Sequence, residues 1–128
     1  MLRKLFIFNL YEMKKTWDYW EIIAIEYLQS HDYKICDTNF KFGRFGEVDI
    51  IACKNERYYF IEVKYRSHLW YWHPEEAIIA SKLHKCLKTM EYYCKKNNIP
   101  MEHIQFDVLT ILKKESFHRV THYKNVEI

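Results

Sequence analysis

Two short segments carry most of the chemistry this chain offers. One is Gly46-Glu47-Val48-Asp49-Ile50-Ile51-Ala52 and the other is Phe60-Ile61-Glu62-Val63-Lys64-Tyr65-Arg66. Read as strands, their alternate side chains share a face. Glu47 and Asp49 then point one way, and Val48, Ile50 and Ala52 the other. Glu62, Lys64 and Arg66 likewise oppose Ile61, Val63 and Tyr65. If the strands pair, Asp49, Glu62 and Lys64 converge. Hard carboxylate oxygens on adjacent strands suit Mg²⁺, which keeps several waters and accepts substrate phosphate. A lysine just beyond Glu62 can steady charge on a phosphate or orient an attacking water. The same spacing also describes a solvated sheet face, where charges alternate with core residues.

These segments need elements to position them. Thr16 can cap a helix with Asp18 and Glu21 in or near its first turns. Trp20, Ile23, Ala24, Tyr27 and Leu28 then recur on one helical face. Glu21 lies roughly 20° from Leu28 on the helical wheel. A carboxylate at the edge of a buried stripe is costly unless a metal or a lysine offsets it. The helix should end near Gln29–Asp32. Tyr33–Asp37 reads as a short strand and Asn39–Phe45 as a basic loop carrying Lys41, Gly43 and Arg44. Gly46–Ala52 and Arg57–Arg66 read as a hairpin around Lys54-Asn55-Glu56. Pro74 opens a long helix that runs to about Asn97 and stops before Pro100. Gln105–Leu112 is a further strand, and Phe117–Tyr123 pairs with it. The order α-β-β-β-α-β-β predicts an α/β fold, with helices flanking a mixed sheet that is antiparallel at its start.

Together the two segments resemble the signature of the YraN family, a bacterial family of small proteins in the PD-(D/E)XK nuclease superfamily. The resemblance runs from about Trp17 to Tyr123. Glu21 with Ala24, Tyr27 and Leu28 is similar to the family's opening helix motif. Pro74, Ala77 and Lys82 resemble the start of its long helix, and Phe106-Asp107-Val108 its late strand. The resemblance implies a restriction-endonuclease-like core and a Mg²⁺-dependent endonuclease, with Mn²⁺ as a substitute, acting on DNA that is branched or being processed. It makes Asp49 and Glu62 metal ligands, joined by the Val63 carbonyl and supported by Glu21. Lys64 becomes the catalytic lysine, and Glu47 lies behind the ligands. The alternative is a nucleic-acid-binding module that keeps the fold with little or no cleavage. Many nucleases of this fold cut as dimers, so a homodimer is open. The family carries glycine where this chain has Trp17, Trp20 and Trp72. Either these tryptophans are genuine or UGA codons were read with the wrong genetic code. UGG codons at those positions would end the second idea.

Composition sets the outer limits. The 128 residues, 49% apolar and 29% charged, fit one folded domain with a sizeable core and exclude wholesale disorder. No apolar run is long enough to cross a membrane as a helix. Leu5–Leu10 is too short for a signal peptide, and no small-residue cleavage site follows. The expected compartment is the cytoplasm. Residues 1–13 read as an N-terminal extension before a single domain of residues 14–128. They form either an apolar arm that docks a partner or a stretch upstream of a start at Met13. Cys36, Cys53, Cys86 and Cys94 lack zinc spacing and read as reduced, mostly buried thiols. The net charge of +3 is compatible with a nucleic-acid partner. Lys82, Lys85, Lys88, Lys95 and Lys96 share one helical face, opposite Ile79, Leu83, Cys86, Leu87, Met90, Tyr93 and Cys94. That stripe is either a solvated face or a track for a phosphate backbone. Lys82 is the first choice for a phosphate contact, with Arg66 and Arg44 next. His68-Leu69-Trp70-Tyr71-Trp72-His73 either stacks on unpaired bases or packs over the long helix.

Overall fold

Among the described residues five strands form one sheet, with a helix on each face. The computed structural model describes residues 19–66 and 80–126, with the side chains of Arg66 and of residues 80–83 outside the description. Along the chain these are α1 (Tyr19–Ser30), β1 (Lys34–Phe42), β2 (Gly46–Lys54), β3 (Arg57–Arg66), α2 (Ala80–Asn97), a 3-10 turn (Met101–His103), β4 (Ile104–Lys113) and β5 (His118–Tyr123). The expected order is therefore present. Strands β1, β2 and β3 pair antiparallel in sequence. Strand β4 then pairs parallel to β3, with Phe60 opposite Phe106 and Lys64 opposite Thr110, and β5 closes the sheet antiparallel. Parallel neighbours require a long crossover, and α2 lies within it.

Local chemistry sets the boundaries. Both helices end in a left-handed residue other than glycine, Asp32 (φ 67°) and Asn98 (φ 55°). In each case the next N–H reaches back five residues, Tyr33 to the Leu28 carbonyl and Ile99 to the Cys94 carbonyl, both at 2.9 Å. This closure satisfies carbonyls that a helix end leaves open. Asn55 (φ 52°) and Glu56 (φ 65°) make the tight turn between β2 and β3, where two positive φ values match the strand twist. The helix starts expected from Thr16 and Pro74 lie outside the described residues, as does the boundary at residue 13.

Each sheet face carries its own core. Ala24, Ile25 and Leu28 of α1 pack on Ile50, Ala52, Ile61, Leu109 and Ile111. On the other face, Cys86, Met90 and Tyr93 of α2 pack on Val48, Ile51, Phe60, Phe106 and Val108. The α2 residues are those expected on its apolar side, and Lys85, Lys88, Lys95 and Lys96 are exposed. Two expectations are corrected. First, β1 continues through Asn39–Phe42, which was read as loop; only Gly43–Phe45 turns, with the Phe45 N–H on the Phe42 carbonyl at 2.8 Å. Second, Val48 does not share a face with Ile50 and Ala52 but joins the α2 core. All four cysteines are free; Cys86 and Cys94 are buried, Cys53 is half-buried and Cys36 is exposed. No helix among the described residues is long and apolar enough to cross a membrane.

Asp107 is fully buried at the start of β4. Its Oδ1 accepts the Gln105 side-chain amide and the Asn125 N–H, each at 2.8 Å, and its Oδ2 lies 2.7 Å from His122 Nε2. With the imidazole proton on Nε2, His122 Nδ1 accepts from the Tyr27 hydroxyl at 3.2 Å. A helix on one side and the last strand on the other are thereby tied to one carboxylate.

Asp107→Ala removes the buried acceptor of the Gln105, Asn125 and His122 donors and should cost about 3 kcal/mol of stability, measured by urea unfolding. Alkaline pH supplies a second test. Burial first, then the nearby Tyr59, Asp107 and Tyr27, pushes the Tyr33 phenol up from 10.0 to about 12. Burial also raises Tyr93 to about 12, helped by Cys36 and Asp37. The folded state keeps protons there that the unfolded chain releases. Stability should therefore be whole below pH 10 and fall as the pH rises towards 12. Phenolate absorbance should show late-ionising tyrosines, Tyr33 and Tyr93 among them, whose ionisation accompanies loss of circular dichroism.

Candidate functional site

The β2–β3 ladder starts at the turn, with Lys54 opposite Arg57, and runs as far as Ile50 opposite Ile61. Beyond that pair, the Asp49 side chain takes over from the backbone. Its Oδ2 accepts the Val63 N–H at 2.8 Å. The bond holds the carboxylate at the opening between the strands. Glu62 sits on the α2 side of β3 and is 5% exposed. Lys64 Nζ lies 3.4 Å from Glu62 Oε1, with both side chains largely shielded from water. An ion pair so placed is screened little by salt.

From the other side, β1 approaches Asp49 with a kink. Thr38 pairs with Ile50 and Phe40 with Val48, and between them Asn39 adopts φ 51°. Asparagine tolerates this left-handed conformation better than most residues. The kink explains the Val48 correction: Phe40 and Val48 face α2, whereas Ile50 still faces α1. Asn39 Nδ2 also donates to Glu21 Oε2 at 3.2 Å, which fixes the helix-borne acid to the strand beside Asp49. Sequence reasoning missed Asn39. Its only signal was an asparagine in the run Asp37-Thr38-Asn39, where a left-handed residue is cheap.

Helix α2 forms the remaining wall. A Cβ on Gly46 would lie 2.7 Å from Thr89 Oγ1 and 2.8 Å from the Lys85 carbonyl oxygen. The start of β2 therefore presses on the helix backbone, and only glycine fits. Thr89 Oγ1 in turn donates to the Lys85 carbonyl at 2.9 Å. This approach brings Lys85 over a cavity of about 200 Å³ that it lines with Gly46, Glu47, Asp49, Glu62 and Cys86.

Thus Asp49, Glu62, Glu47 and Lys85 share one cavity, and Lys64 joins it through Glu62. Glu21 is anchored on Asn39. Val63 offers its N–H to Asp49 while its side chain is core. Arg44 is exposed in the β1–β2 turn. Lys88 is exposed, with Nζ 5.5 Å from the centre of the Phe45 ring. Lys82 lies on α2 and Arg66 at the end of β3, their side chains outside the description. The aromatic segment from His68 to His73 lies outside the described residues. No three His, Cys, Asp or Glu residues among those described cluster as a ready metal cage. The oxygen donors of Asp49 and Glu62 could still hold a hard cation that keeps several waters.

The model of the uncharacterised protein family UPF0102 matches residues 20–111, which include Glu21, Asp49, Glu62 and Lys64. This chain belongs to that family. UPF0102 is the YraN family of the sequence resemblance. A UPF0102 protein of Persephonella marina is 38% identical over 95 residues, covering 74% of this chain and 81% of that one. A UPF0102 protein of Clostridioides difficile is 35% identical over 112 residues, 88% of this chain and 96% of that one. One from Fusobacterium nucleatum is 39% identical over 92 residues, 72% and 76%. Within this UPF0102 chain Trp20, beside Glu21, meets Tyr65 edge-on with ring centres 4.9 Å apart.

Asp49→Asn retains an oxygen for the Val63 N–H and should leave stability within about 1 kcal/mol of wild type. Asp49→Ala removes that acceptor and should cost about 2 kcal/mol. Gly46→Val should be more severe, because the helix backbone cannot yield as a flexible side chain can. Urea midpoints of the three variants check this ranking.

Proposed function

We propose that this chain is a metal-dependent endonuclease that hydrolyses DNA phosphodiesters, with branched or processed DNA as its substrate. The observation that carries the reading is the Asp49–Val63 bond at the end of the β2–β3 ladder, which sets two carboxylates beside one cavity. Asp49 and Glu62 would hold Mg²⁺ or Mn²⁺. When bound, such a cation supplies a polarised phosphoryl oxygen and a more acidic water. Lys64, paired with Glu62, orients that water or steadies charge on the phosphate. Glu21, held by Asn39, adds negative charge behind the pair. Lys85 at the cavity rim neutralises a neighbouring phosphate, and Lys82, Lys88, Arg66 and Arg44 extend the basic track. Two copies, each cutting one strand, would suit a duplex substrate, and the cytoplasm is where such DNA is met.

A second reading is a nucleic-acid-binding module that cleaves poorly. It is favoured by the Lys64–Glu62 ion pair and because no three His, Cys, Asp or Glu residues among those described are arranged to hold one metal ion.

Cleavage of linear, single-stranded, flapped and four-way-junction DNA should be measured with Mg²⁺, Mn²⁺ or EDTA. Metal-dependent cutting should fall at least a hundredfold in Asp49→Asn and Lys64→Ala proteins that retain wild-type circular dichroism. No cutting of any substrate, with DNA binding unchanged by EDTA, would give the second reading the site.

A further inference from the structure

Beyond the Asp49–Glu62 cavity, Phe42 at the end of β1, α2 and the turn after it border a second, larger groove of about 640 Å³. Its walls include Phe42, Tyr92, Met101, Lys88, Lys95 and Glu91. Phe42 and Tyr92 stack face to face, with ring centres 4.2 Å apart and planes 9° from parallel. Phe45 continues the series at 5.0 Å from Phe42. These rings are not sealed into the core. Phe45 is 50% exposed and Tyr92 38%. Such an exposed apolar surface is unusual without a partner.

Charge identifies the partner. Lys88 and Lys95 line the groove against the single acid Glu91 among its lining residues. Lys88 also sits over the Phe45 ring. Flat aromatic faces interleaved with cations suit a chain of flat bases joined by phosphates. An apolar peptide would gain little from the lysines. The groove and the cavity are both walled by α2. Lys85 lines the cavity and Lys88 the groove, three residues apart on α2, a rise of about 4.5 Å. That is of the order of one nucleotide step. Base faces are available for such stacking only where the strand is unpaired.

We infer that this groove binds unpaired bases of single-stranded DNA next to the phosphate held at the Asp49–Glu62 cavity. The position of that phosphate rests on the nuclease reading; the stacking on Tyr92 and Phe45 does not. The reading selects DNA with a single-stranded arm over a continuous duplex.

The test is binding in EDTA, so that hydrolysis plays no part. A fluorescent twelve-nucleotide single strand, its duplex and the matching RNA are titrated with the full chain. A second strand carries 2-aminopurine, whose emission falls on stacking. Wild type should prefer the single strand and quench 2-aminopurine. Tyr92→Leu, which keeps apolar packing on Phe42, should weaken binding about tenfold and lose the quenching. Tyr92→Phe should restore both. Lys88→Ala should lower the salt dependence of binding by about 0.7 in log–log slope. No single-strand binding, equal binding of the duplex, or a Tyr92→Leu protein that binds and quenches like wild type overturns the inference. Tighter binding of RNA overturns its assignment to DNA. Loss of cleavage with Tyr92-dependent binding intact removes the nuclease reading alone.

Discussion

The arrangement depends on one hydrogen bond, from the Val63 N–H to the Asp49 carboxylate. Two antiparallel strands normally satisfy each other's backbone along their length. Here the β2–β3 ladder ends at Ile50 and Ile61, and a charged side chain completes it. A carboxylate is the stronger acceptor, since bonds to charged groups exceed those between neutral ones. The strands can therefore part without leaving a buried donor unsatisfied, and the space between them becomes the cavity. The acid that makes the opening is one of the three acids, Glu47, Asp49 and Glu62, that line it, with Glu62 in reach of Lys64.

The surrounding elements meet the needs of that opening. Asn39 absorbs the bend in β1 with a left-handed residue and holds Glu21. Gly46 lets the α2 backbone approach β2 closely enough for Lys85 to reach the cavity. The Asp107 network lies on the α1 face, away from these contacts, and ties β4, β5 and α1 together. Each device satisfies a polar group or removes a Cβ where the ordinary periodicity of strand and helix is interrupted.

This division explains what the sequence disclosed. Regular periodicity identified the α2 face, the β2–β3 hairpin and the late strands; on α1 it found Ala24 and Leu28 but left out the fully buried Ile25 and included the exposed Trp20. The alternation of Glu62, Lys64 and Val63 along β3 was also legible, because that strand is regular. The resemblance of the two acidic segments brought the family and the carboxylate pair. The irregular parts were not legible. Strict alternation put Val48 beside Ile50, because nothing in the residue pattern marks a strand that turns its face between them. Asn39 was read as loop for the same reason: a left-handed asparagine is usual in turns, and only pairing with β2 keeps it within a strand. The closeness of Gly46 to Thr89 is a property of packing, which spacing along the chain does not reveal.

The kink in β1 has a further consequence. Among the described residues, β1 is an outer strand of the sheet, with β2 on one side and no strand paired on the other. Such an edge is a template on which another chain can add a strand and begin aggregation. Here the edge is not straight. The register slips between Ile35 and Asp37, and Asn39 bends the strand again a few residues later. Lys34 and Lys41 are exposed along it. A neighbouring molecule would have to match two bends and meet its own lysines to extend the sheet. The irregularity that seats Glu21 thus also makes this edge a poor template for a second copy of the chain.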